Sequence, residues 1–159
     1  MGDEPFVPED FAVPDGLIAG EFLLAPLGPQ HNEADYAAWT TSIDHIRETP
    51  GFPDGSWPHE MSLNDNLRDL VRHAKDFAER RGFTYTVLST STGDVIGCVY
   101  IYPDSSHEPR GGTAGRRHAS VQSWVRADRA ALDPVLYDAV LGWMERDWPF
   151  DSVEYAPRT

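Results

Sequence analysis

Cysteine occurs once in this 159-residue chain, as Cys98, so no intramolecular disulfide can form and a reducing, cytoplasmic setting is expected. Lysine also occurs once, as Lys75, and arginine carries the rest of the positive charge. Only 13 lysines and arginines stand against 26 acidic residues, a net charge of −13. So acidic a chain repels phosphodiester backbones and anionic lipid, which argues against nucleic acid and membrane surfaces as partners. No apolar run approaches the ~18 residues that a membrane span needs. The opening MGDEPFVPEDFAVPDG is acidic and broken by prolines, unlike a signal peptide. The glycine motifs of the P-loop, the dinucleotide fold and the Gly-x-Ser-x-Gly elbow are missing too. No pair of histidines stands four residues apart with a third ligand near, so no metal site is expected.

What is present is a globular composition, 40% hydrophobic and 11% aromatic, of a length suited to one core. Residues 1–16 read as an extended arm, with Phe6, Val7, Phe11 and Val13 available to pack on the body, and residues 17–159 as a single domain. A strand over Glu21–Ala25 is stopped by Pro26, Gly28 and Pro29. A helix is expected from Asn32, with Asn32 as its N-cap and Asp35 in its first turn. Tyr36 and Trp39 share a face of it. A short helix over Ser42–Arg47 follows, then a loop over residues 48–60, where prolines and glycines crowd. The clearest helix starts at Ser62, with Asp65 as its capping partner. Leu63, Leu67, Leu70, Val71, Ala74, Phe77 and Ala78 make one stripe at helical period, and Gly82 is placed to end the helix.

Phe83–Pro103, FTYTVLSTSTGDVIGCVYIYP, reads as two strands joined by a turn over Ser91–Asp94 with Gly93 in it. In the second strand, alternation puts Val95, Val99 and Ile101 on one face and Ile96, Cys98, Tyr100 and Tyr102 on the other. Both faces are apolar or aromatic, so both should be covered. A long glycine-rich loop over Asp104–His118 leads into an apolar strand, ASVQSWVRA. A short loop, DRAALDP, then precedes an amphipathic helix, VLYDAVLGWMERDW. Asp133 can cap that helix, Pro134 suits its first position, and Leu136, Ala139, Val140 and Trp143 make its inward stripe. A last strand covers Ser152–Ala156, giving the order β-α-α-(α)-β-β-β-α-β. Residues 110–129 hold Arg110, Arg116, Arg117, Arg126 and Arg129 against Asp128 alone. That local positive patch suits an anionic ligand; the other reading is a solvated loop.

The hairpin–strand–loop–helix unit of residues 83–145 resembles the centre of the GCN5-related N-acetyltransferases (GNAT), and element order extends the resemblance over residues 20–156. It implies an α/β fold with a mixed, mostly antiparallel sheet flanked by helices. In that fold the strands at 119–127 and 152–156 run parallel, splay apart and hold pantetheine in the gap. It also implies a C-terminally short member, lacking the usual last helix and two strands. Acetyl-CoA is the implied cofactor. Ser123, Trp124 and Val125 would offer backbone groups to the pantetheine, while Arg126, Arg129, Ala130 and Ala131 would face the pyrophosphate. The loop departs from the family pattern, however. Leu132 and Pro134 stand where the family has small residues, Pro134 has no N–H to donate, and the Asp133 carboxylate can itself occupy the anion site. Arg126 and Arg129 are left to bind phosphate through their side chains.

Acyl transfer to an amine needs a base for the ammonium proton and an acid for the departing thiolate. The resemblance points to His118, Gln122 and Glu154 for the first; the tyrosine that the family uses for the second has no match here, and Tyr155, Tyr100 and Tyr102 are its candidate substitutes, with no spacing rule to select one. A separate polar cluster, His31, Asn32, Asp35, Tyr36, Asp44, His45, Arg47, Trp57 and His59, falls where the family forms the acceptor side of its cleft. Two functions stay open: acetyl transfer from acetyl-CoA to a small amine, or a non-catalytic GNAT-like domain that binds a small molecule or a protein. A homodimer is expected, with the 152–156 strand and the arm at or near the interface, because open sheet edges are normally covered.

Overall fold

Gly93 sits in the left-handed region at φ +80°, a conformation that costs glycine little, and there the chain reverses to form the central hairpin. The structure, a computed structural model, describes residues 5–53, 57–104 and 117–158. The hairpin is β3 (Phe83–Ser89) and β4 (Val95–Pro103) in the labelling used from here on. Before it come β1 (Leu17–Ala19), β2 (Phe22–Pro26), α1 (Asn32–Thr40), α2 (Ile43–Glu48) and α3 (Leu63–Ala78). After it come β5 (His118–Val125), a 3₁₀ segment over Ala127–Leu132, α4 (Asp133–Asp147) and β6 (Ser152–Tyr155). The strands form one six-stranded sheet in sequence order; every pair is antiparallel except β5 with β6, which is parallel. This is the mixed, mostly antiparallel α/β architecture expected.

Two apolar clusters cover the two faces of the sheet. Leu136, Val140, Trp143 and Met144 of α4 pack on one, together with Phe22, Tyr85, Val99 and Val121. Trp39, Ile46 and Leu70 of α1, α2 and α3 pack on the other, against Cys98 and Trp124. The N-terminal arm belongs to the first cluster. Val7 is buried, Phe6 stacks between Phe83 and Phe150, and Phe11 lies against Trp148. Polar contacts tie it down as well: Arg80 donates to the carbonyls of Pro8 and Phe11, and the Tyr85 hydroxyl donates to that of Pro14.

Four local expectations are corrected. The first strand has a short antiparallel partner, β1, too short to show periodicity in the sequence. In β4 the expected alternation breaks, because Val87 faces Gly97 while Leu88 faces Val95. Ile96 is the extra residue of a bulge, and a bulge exchanges the faces of the residues before it. Val95 therefore joins Cys98 and Tyr100, while Ile96 joins Val99 and Ile101. On α3 the capping box forms as read, with the Ser62 hydroxyl accepting from the Asp65 N–H at 3.0 Å. The buried stripe is rotated, however. Leu70 is 2% exposed, but Leu63 and Val71 are 40% and 49% exposed, and Asn66 is buried in their place. Finally, Arg80, at φ +61°, takes the left-handed position after α3. Gly82 serves close approach instead: a Cβ there would stand 2.2 Å from the Tyr102 ring.

Candidate functional site

Rotation of α3 puts polar residues on its inward face, opposite α1. Asn66 is the hub. It accepts from the Trp39 indole at 3.0 Å and donates to Asn32 at 2.9 Å and to Asp35 at 3.2 Å. Asn32 lies inside α1 and, instead of capping it, also donates to the Leu63 carbonyl. The network fixes α1 against α3 and leaves the Asp35 carboxylate at the floor of a cleft of about 320 Å³. Asp35 is 4% exposed, and burial pushes its pKa from 3.8 up to about 6; the Asn66 bond opposes the rise and the nearby Asp69 adds to it. No cationic side chain pairs with Asp35 among the described residues. Asp69 and Arg72 stand at the rim, turned toward each other at 3.4 Å.

Aromatic rings make the walls. Trp57 comes from the loop before α3, and its ring lies 5.4 Å from Trp39, 6.1 Å from Phe52, 6.2 Å from Trp124 and 6.4 Å from Tyr100. The Tyr100 hydroxyl accepts from the Trp124 indole, and burial holds its pKa well above 10. His73 of α3 completes the wall. Its Nδ1 lies 2.8 Å from the Tyr102 hydroxyl, which in turn donates to Asp76. Burial, reinforced by Arg72, drives the His73 pKa down to about 4, so the ring is neutral at pH 7. The cleft thus offers a buried carboxylate without a cationic partner among the described residues, a lining of aromatic rings and a neutral imidazole.

Of the sequence candidates for catalysis, Gln122 and Tyr100 line this cleft, and the Gln122 amide donates to the Gly51 carbonyl at 2.8 Å. His118 lies at the far end of β5 and bonds Ser152. Glu154 is an exposed residue of β6. The Tyr155 hydroxyl lies 2.6 Å from the Ser123 hydroxyl, buried between β5 and β6, and burial raises its pKa to about 12. In the acceptor-side cluster, Asp35 and Trp57 line the cleft, and Tyr36 bonds the Met61 carbonyl. Asn66, Asp69 and His73 were missed. Their signal was present as a polar stripe, 66, 69, 73, lying beside Leu70 at helical period.

The pairing of β5 with β6 stops short of the end of β5, in the stretch where the resemblance places the coenzyme. β5 and β6 pair from His118 with Ser152 to Val121 with Tyr155, and Gln122–Val125 have no strand partner on that side. The loop beyond it offers little to a diphosphate. Asp133 is the first residue of α4, where it makes no side-chain cap; its N–H is taken by the Ala130 carbonyl, and Pro134 has none. Arg126 grips Asp128 through two bonds, 2.9 and 2.8 Å. Arg129 lies on the same segment, and Ala130 and Ala131 are exposed. Arg117 is described, whereas Arg110 and Arg116 of the expected patch lie outside the described residues. The Asp133 carboxylate is held by Arg158, whose Nε donates to it at 2.7 Å. As arranged here, these residues do not fit the cradle of backbone N–H groups that a pyrophosphate needs. Among the described residues no cluster of His, Cys, Asp or Glu is placed to hold a metal, and no helix is long and apolar enough to cross a membrane.

No protein-family model matches the sequence, and no curated protein matches it. Solved structures do match. The microcin C7 self-immunity acetyltransferase MccE, in complex with acetyl-CoA and AMP, superposes with a TM-score of 0.58 at 12% identity, over 84% of this chain and 66% of its own. The ribosomal-protein-S5-alanine acetyltransferase of Vibrio fischeri gives 0.56 at 11%, over 81% and 66%. A GNAT-family acetyltransferase of Bacillus anthracis gives 0.54 at 11%, over 83% and 67%. The chain therefore spans about two thirds of the length of these proteins. At such identities the likeness is one of fold: this chain has the fold of the GNAT acetyltransferases, as the 83–145 unit implied.

Proposed function

We propose that this chain recognises a small amine, in its cationic form, in the cleft between α1, α3 and β4. The observation that carries the reading is Asp35. A carboxylate with so little solvent and no cationic partner is costly to ionise, and an ammonium group entering the cleft would supply the missing charge. Phe52, Trp57 and Tyr100 line the same space, and a cation over such rings gains further attraction. Neutral His73 adds no opposing charge. The single thiol, Cys98, is free and buried, which supports a cytoplasmic setting for this activity.

A second reading adds chemistry: acetyl transfer from acetyl-CoA to the bound amine. It is favoured by the fold, and opposed by the loop at 126–134 and by the Arg158 side chain that holds the Ser123 carbonyl beside β5. One experiment covers both. Primary amines, polyamines and matched neutral alcohols are titrated into the protein by calorimetry, and acetyl-CoA is then added while free thiol is followed. Amines should bind and alcohols should not. Equal binding of both, or of neither at millimolar concentration, overturns the amine reading; thiol release that depends on amine establishes the second.

A further inference from the structure

The gap between β5 and β6 is filled by the chain itself. The Arg158 side chain is 3% exposed although it carries a full charge. Its Nη2 donates to the Ser123 carbonyl at 2.8 Å, the β5 group that turns toward the gap. Its Nη1 donates to the Ala156 carbonyl at 2.8 Å and reaches that of Pro50 at 3.3 Å. Its Nε and Nη2 meet the two Asp133 oxygens at 2.7 and 3.4 Å. The rings of Tyr137 and Tyr155 flank the guanidinium at 5.7 and 5.6 Å. Every side of the cation is thus engaged, and its partners come from β5, from the segment after β6, from α4 and from the loop before Trp57.

We propose that the Asp133–Arg158 ion pair is a built-in occupant of the coenzyme gap, closing it to coenzyme A. Three properties of the pair support this. The guanidinium already holds the Ser123 carbonyl that an incoming amide would need. The carboxylate lies at the start of α4, where it repels a diphosphate. Displacing the arm of Arg158 would separate a nearly buried, multiply bonded ion pair and leave one charge without its partner, which is strongly unfavourable. The fold persists while the cofactor position is taken by residues of the chain. The amine reading does not depend on this, because Asp133 and Arg158 lie outside the Asp35 cleft.

The test is calorimetric titration of acetyl-CoA into the intact protein and into Asp133→Asn. That substitution removes the repelling charge, keeps the side-chain volume and frees the guanidinium to meet a phosphate. Wild type should bind no tighter than about 1 mM, and Asp133→Asn should bind at least about tenfold tighter. The double variant Asp133→Asn/Arg158→Gln serves if the single one folds poorly: it should bind more weakly than the single variant and more tightly than wild type. Wild-type binding in the low micromolar range overturns the proposal. So does a folded variant of either kind, checked by its melting transition, that gains no affinity. Amine titrations on the same variants should be unchanged within about twofold, since the two sites share no partner.

Discussion

Replacing Asp35 by asparagine should stabilise this protein, and the gain should depend on pH. In the folded chain burial holds the Asp35 proton up to about pH 6, whereas an ordinary aspartate gives it up near 3.8. Between those values the native state binds more protons than the unfolded one, so stability falls as pH rises through the window. Above pH 6 the penalty is complete. A shift of about two pH units at about 1.4 kcal/mol each comes to about 3 kcal/mol, an upper bound because the site relaxes and admits water. Asp35→Asn removes this titration and keeps the bond from the Asn66 amide, which the introduced carbonyl oxygen can accept. The variant should therefore exceed wild type by about 2 to 3 kcal/mol at pH 7.5 and by nearly nothing at pH 4. Urea unfolding at the two pH values, with matched m-values, measures the difference. A gain of the same size at both pH values would refute the reasoning, because it would then come from packing rather than from ionisation. The same variant should lose affinity for amines by about tenfold or more. Stability gained together with binding lost is the pattern of a residue kept for its ligand.

Leu70→Ala should cost about 2 to 5 kcal/mol, while Val71→Ala, one residue along the same helix but half exposed, should cost less than about 0.5; equal losses would refute the rotated stripe. Deleting residues 1–14 should lower the melting temperature clearly or cause aggregation, because Val7, Phe6 and Phe11 leave the first core cluster; an unchanged melt would show the arm to be dispensable. Light scattering at tens of micromolar protein should give twice the chain mass of 17.8 kDa, the homodimer expected from the open sheet edge, and a mass of 17.8 kDa would refute it.

The central unit of the fold was legible because its signals are local. Gly93, the apolar runs of β3 and β4 on either side of it, the Ser62–Asp65 box and the stripe of α4 each lie within a dozen residues, and together they fix element type and order. What was illegible depends on contacts between segments far apart in the chain. The bulge at Ile96 is set by pairing with β3, and it reassigned Val95 and Ile96 to opposite faces. The α3 stripe visible in the sequence includes Leu63 and Val71 beside Leu70, yet Trp39 and Asp35 of α1 need polar partners, and Asn66 supplies them. The cleft followed the same course. Asp35 and Trp57 stand out in the sequence within the polar cluster expected on the acceptor side, but Asn66, Asp69 and His73 join them only through the rotated face of α3. At the coenzyme gap Asp133 and Pro134 are warning signs that the sequence already carries. The part played by Arg158, 25 residues further on, is visible only in the folded chain.

The position of Trp57 has a practical consequence. Trp39, Trp124, Trp143 and Trp148 are all buried, so their indoles sense a dry, constant surrounding. Trp57 is the half-buried one, and its ring faces the space a ligand would fill. A cation settling there would displace water from a single indole and leave four others undisturbed. The emission spectrum should then resolve into a fixed blue component and a red component that shifts on occupancy. The chain carries its own optical reporter, and a Trp57→Phe variant should be silent in that channel while still folding around the other four.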